Sequence, residues 1–154
     1  MAGATGSPAA GSAETPAETG AETGVRLVAA ERLPTPGGHY SHAAVAGGLA
    51  FVSGLLPIDP AGRVLNAEPF EVQVAQTLHN LGEVLASCGT GRTHLVQVRV
   101  YLTQVERWAA FNALYADWLG DHRPARCIVP VPALHFGVAL ELEAVAQVPA
   151  AQNR

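Results

Sequence analysis

The stretch Ala139-Leu140-Glu141-Leu142-Glu143-Ala144-Val145-Ala146 repeats with a period of two, which an extended strand converts into two different faces. Leu140, Leu142, Ala144 and Ala146 fall on one face, and Glu141, Glu143 and Val145 on the other. The first face belongs on a core. The second carries two carboxylates that look toward solvent, an interface or a pocket. Just upstream, the run 123–132 (RPARCIVPVP) sets Arg126 at the mouth of an apolar segment, where a guanidinium must find an anion or bear a large desolvation cost. Two readings stand side by side. The glutamates form a solvated outer face, or one of them meets Arg126 if these consecutive strands are neighbours.

Working outward, residues 69–87 place Phe70, Val74, Leu78, Leu81 and Leu85 on one stripe of a 3.6-residue period, with Pro69 at the start and Gly89 just past the end. That punctuation predicts a helix. Thr103-Gln104-Val105-Glu106 matches a capping box and predicts a second helix running to Gly120, with Trp108, Phe111, Tyr115 and Trp118 sharing a face. Strands are predicted over 25–33, 43–46, 49–53, 95–102, 127–131 and 139–148. Gly47-Gly48 is the turn of a hairpin, and Asp59-Pro60-Ala61-Gly62 a further tight turn. The sum is α+β, a mixed sheet of five to six strands with two helices on one face. Its other face then needs a partner, and a composition of 49% apolar and 14% charged residues points to an oligomer.

The 154 residues suit one domain. Residues 1–24 use little but Ala, Gly, Thr, Ser, Pro and Glu, repeat the triplet AET, and cannot bury enough to offset their ordering entropy. A disordered low-complexity tail is expected there, the domain over 25–149, and a short tail over 150–154. A net charge of −4 with no Lys/Arg cluster disfavours nucleic acid. Neither a run of about 20 apolar residues nor a signal peptide is visible, so the expected location is cytoplasmic, away from membranes. Cys88 and Cys127 are expected to be reduced there. His39 and His42 have an H-x-x-H spacing but no acidic or cysteine neighbour, and no glycine-rich nucleotide motif occurs, so neither metal nor cofactor is expected.

Six short motifs taken in order carry a resemblance: Gly38-His39-Tyr40-Ser41-His42-Ala43, Phe51-Val52-Ser53-Gly54, Asn80-Leu81-Gly82-Glu83-Val84-Leu85, Asn112-Ala113-Leu114-Tyr115, Pro124-Ala125-Arg126 and Glu141-Leu142-Glu143-Ala144-Val145-Ala146. Over about 25–148 the chain resembles the reactive intermediate deaminase (Rid, YjgF-like, endoribonuclease L-PSP) family. The resemblance implies a chorismate-mutase-like fold, a homotrimer whose sheets form a central barrel, and clefts between subunits. It implies hydrolysis of 2-imino acids and their enamine tautomers to 2-keto acids and ammonia, without a cofactor. Arg126 then grips the substrate carboxylate and Glu141 holds the attacking water. Tyr40, Ser53, Gly54, Asn112, Cys127 and Ile128 border the substrate, Asn112 having a helix-structural role as its alternative. Two other activities come with the resemblance, a ribonuclease or translation inhibitor and a non-catalytic, chaperone-like binder of carboxylate metabolites. The chain departs from the family pattern at Leu55, at Ile128, at Leu134-His135-Phe136, and at His42 where glutamine is common. These changes imply a more apolar cleft that gains His135.

Overall fold

The computed structural model describes residues 24–150, so nearly all of both expected tails lies outside the described residues. Six strands and two helices follow one another as β1 (Arg26–Val28), β2 (Ala43–Ala46), β3 (Leu49–Leu55), α1 (Phe70–Ser87), β4 (Leu95–Leu102), α2 (Trp108–Leu119), β5 (Ala125–Pro130) and β6 (Leu140–Gln147). They build one mixed sheet in the order β1-β2-β3-β6-β4-β5. Every pair is antiparallel except β4 with β5, which α2 joins as a crossover. The last strand is thus the central one, inserted between β3 and β4.

The alternation of β6 is realised. Leu140, Leu142, Ala144 and Ala146 are buried beneath the helices, and Glu141, Glu143 and Val145 are half-buried on the opposite face. The stripe of α1 lies against them, with Phe70, Val74, Leu78, Leu81 and Leu85 all in the core. The opposite face is open in the single chain. One cross-strand row there is Leu27, Ala44, Phe51, Val145 and Gln97, in which Leu27 and Phe51 are exposed. Beside it, Arg99 donates to Glu143 at 2.8 Å.

Two hairpin details agree with the sequence. Gly47 and Gly48 both take positive φ, as the β2–β3 turn requires, and Gly62 closes its turn on the Asp59 carbonyl. Three expectations are corrected. The strand expected over 25–33 stops at Val28, because the Nδ1 atom of His42 accepts the Ala30 N–H at 2.9 Å and ends the ladder. The capping box does not form, since Thr103 turns to the Ala139 carbonyl through its N–H and hydroxyl. A 3₁₀ turn, Val105–Arg107, then leads into α2. Trp108, at the first position of α2, is left 46% exposed, whereas Phe111 and Tyr115 are buried.

Candidate functional site

The structure separates the two charges that the sequence invited us to pair. Arg126 lies opposite Val98 in β4, and Glu141 opposite Tyr101. Val98 and Tyr101 are three residues apart on one strand and point to opposite sides, so Arg126 is on the helix side of the sheet and Glu141 on its open side. β4 also stands between their strands. The expected neighbourhood of β5 and β6 is therefore corrected, and within one chain no ion pair joins Arg126 to Glu141 or to Glu143, which Arg99 engages.

Glu141 sits in a cleft of about 740 Å³ with Tyr40, Ser53, Gly54, His135 and Phe136 on its walls. The backbone makes its seat. Between Val52 and Leu55 the β3–β6 register slips, a bulge that places Ser53 and Gly54 across from the glutamate strand. A Cβ on Gly54 would collide with the Glu141 Oε1 atom, so a larger residue there would push the carboxylate out of its seat. Burial pushes the Glu141 carboxyl above its ordinary range, His135 pulls it back, and Glu143 adds to the rise.

The rest of the cleft is fastened from beneath. The Ser53 hydroxyl donates to the Ser41 carbonyl at 2.6 Å, and its N–H to that of His42 at 3.0 Å. The Nε2 atom of His42 bonds the Pro34 carbonyl at 3.1 Å, so both ring nitrogens are committed to the loop before β2. Asn80 on α1 donates to the carbonyls of Leu56 and Ile58 at 3.1 and 2.9 Å, and Gln73 accepts the Ala139 N–H at 2.9 Å. Our reading of the sequence assigned neither residue a role. The available signal was a polar residue on the core-facing stripe of a helix, since both are buried there.

Arg126 borders a separate cavity of about 480 Å³ with Asn112, Tyr115, His122 and Arg123. Its Nη2 donates to Asn112 Oδ1 at 3.0 Å, and the guanidinium lies 5.0 Å from the centroid of Tyr115 and 5.9 Å from that of Phe111. Stacking and one neutral acceptor orient the fork while leaving its charge uncompensated. Cys127 is exposed on the opposite face of β5, and Ile128 is half-buried on the side of Arg126. Tyr40, Ser53, Gly54 and Glu141 thus share one cleft, Asn112 and Arg126 another, and Cys127 and Ile128 border neither, Ile128 packing against the core instead.

A mixed sheet covered by two helices on one side, with a carboxylate cleft and a guanidinium cavity on opposite faces, makes this an α+β protein. The endoribonuclease L-PSP family model matches residues 30–148. A RutC family protein of Pyrococcus horikoshii is 35% identical over 121 residues, covering 78% of this chain and 95% of its own. The crystal structure of a putative endoribonuclease from Thermotoga maritima superposes with a TM-score of 0.77 at 36% identity, covering 81% of this chain and 98% of that one. TdcF of E. coli, solved with bound serine, does so at 0.74 and 25% identity, over 79% and 98%. The chain belongs to the endoribonuclease L-PSP, or Rid/YjgF-like, family.

Proposed function

We propose that the protein is a homotrimeric, cytoplasmic imine/enamine deaminase that hydrolyses small 2-imino acids to 2-keto acids and ammonia, with no metal or cofactor. The observation that carries this proposal is the Glu141 carboxylate, seated on Gly54 in a cleft and raised in pKa by burial. A carboxylate so placed takes and returns protons closer to neutrality than a solvated one. Arg126 faces the other side of its own sheet, so we place the reaction where the Arg126 cavity of one subunit meets the Glu141 cleft of the next. The serine bound by TdcF is an α-amino carboxylate, a ligand class that suits the same pair of charges.

In the proposed reaction Arg126 forks onto the substrate carboxylate and fixes C2 over Glu141. Glu141 takes a proton from a water molecule as its oxygen bonds to C2, and returns that proton to the imine nitrogen, giving a tetrahedral carbinolamine. Glu141 then takes the carbinolamine hydroxyl proton and passes it to the nitrogen as the C–N bond breaks, so that ammonia leaves and the C2 carbonyl of the 2-keto acid forms. One water is consumed for each ammonia released. Tyr40 and Ser53 border the reacting carbon, while Asn112 holds Arg126 in position. An assay coupled to a threonine dehydratase tests this. The protein is expected to speed 2-ketobutyrate release, and Arg126→Ala, still trimeric, to lose that acceleration. Equal rates with wild type and Arg126→Ala overturn the proposal. The ribonuclease reading, which goes with the family's name, fits poorly with a net charge of −4.

A further inference from the structure

The loop after β5 holds an aromatic ring out into the Glu141 cleft at a conformational cost. Phe136 has φ 58°, and no other non-glycine residue among the described residues takes a positive φ. A side chain there crowds its own backbone, so the surroundings must hold it. They do so through Asn66, whose Nδ2 donates to the Phe136 carbonyl at 2.9 Å, and through the His135 ring, packed edge-on at 5.7 Å. In the single chain Phe136 remains 58% exposed, although burial is the ordinary fate of a phenylalanine. Pro34, Leu56, Ile58 and Val64 line the same cleft. The polar side chains of the cleft are Thr35, Tyr40, Ser53, His135 and Glu141. A three-carbon imino acid would leave the apolar part of this cleft unfilled.

We infer that the protein prefers 2-imino acids with bulky apolar side chains, aryl or branched aliphatic, and that Phe136 is a specificity-determining residue of the cleft. This rests on the deaminase proposal and adds the substrate class. With the amino and carboxylate ends held at Glu141 and Arg126, the side chain extends between Phe136 and the Leu56–Ile58 wall. Each further methylene placed there contributes to transition-state binding.

The experiment generates 2-imino acids in situ from phenylalanine, leucine and alanine with an amino acid oxidase, in the presence of catalase, and follows keto-acid release in competition with trapping by semicarbazide. Wild type is expected to show kcat/KM at least about tenfold higher for the phenylalanine- and leucine-derived imines than for the alanine-derived one. Phe136→Asn is expected to bring that ratio close to one. Asparagine accepts the left-handed backbone, so the loss is separable from misfolding, and Ile58→Ala in the same cleft should lower the same ratio. Hydrolysis of the alanine-derived imine as fast as the bulky ones overturns the inference and leaves the deaminase proposal standing. So does an unchanged ratio in Phe136→Asn, or a Phe136→Asn protein whose assembly mass has fallen, which would make the ring an interface residue. Hydrolysis of none of the three imines overturns the deaminase proposal and this inference with it.

Discussion

The Glu141 cleft and the Arg126 cavity hold opposite charges by opposite means. Glu141 rests where a side chain is missing, on the backbone of Gly54 at a bulge in β3. Arg126 rests on side chains, the rings of Phe111 and Tyr115 and the amide oxygen of Asn112. An acid that must move protons gains from burial, which raises its pKa. A guanidinium that must stay charged gains from faces that orient it without neutralising it. The contrast makes the carboxylate cleft sensitive to added volume and the cationic cavity sensitive to lost side chains.

The largest effect should follow removal of the charge itself. Arg126→Ala is expected to lower kcat/KM for a 2-imino acid on the order of a thousandfold, since it removes the group that fixes the substrate. Lysine at the same position should recover only part of it, because a point charge cannot fork. Next comes added volume on the other side. Gly54→Ala displaces the Glu141 carboxylate and should cost roughly a hundredfold, while circular dichroism remains that of wild type. Asn112→Ala frees the Arg126 fork and should cost about tenfold, seen mainly in KM. If Gly54→Ala proves the milder of the last two, the cleft is not built as described.

Two smaller effects concern protons. If Glu141 must be ionised to act, the acid limb of the kcat/KM profile lies above the ordinary glutamate value of 4.5. Glu143→Gln removes a negative charge that raises it and should move the limb to lower pH. Stability takes the opposite sign from activity. A carboxyl whose pKa is raised on folding contributes no penalty when protonated in both states. The penalty builds as pH rises above the ordinary glutamate value and is complete once pH has passed the raised one. Glu141→Gln should therefore melt a few degrees above wild type near about pH 7, with the difference vanishing near about pH 4. A variant that is less stable at neutral pH would show that burial does not govern this carboxyl.

Periodicity carried most of the fold. The stripe of α1 and the alternation of β6 were readable because each depends on residues close in sequence. What failed depended on partners far away. Nothing local shows that His42 takes the Ala30 N–H and cuts β1 to three residues, or that Thr103 prefers Ala139 to its own helix. The separation of Arg126 from Glu141 failed for the same reason. Adjacent strands usually pair, but here β4 already occupies the edge that β5 offers to the sheet interior. Of the candidate site, the residue types were legible, whereas their division between two faces became visible only with the register.

The central place of β6 also sets a timetable. Five strands leave the ribosome before it, yet β3 and β4 cannot be joined until the polypeptide up to Gln147 has emerged. Any partial sheets that β1–β3 and β4–β5 form before then have unpaired inner edges, the kind of edge that recruits other copies. The Glu141 strand is thus the closing piece, and the moment that completes the sheet is also the moment that delivers the acid to its cleft.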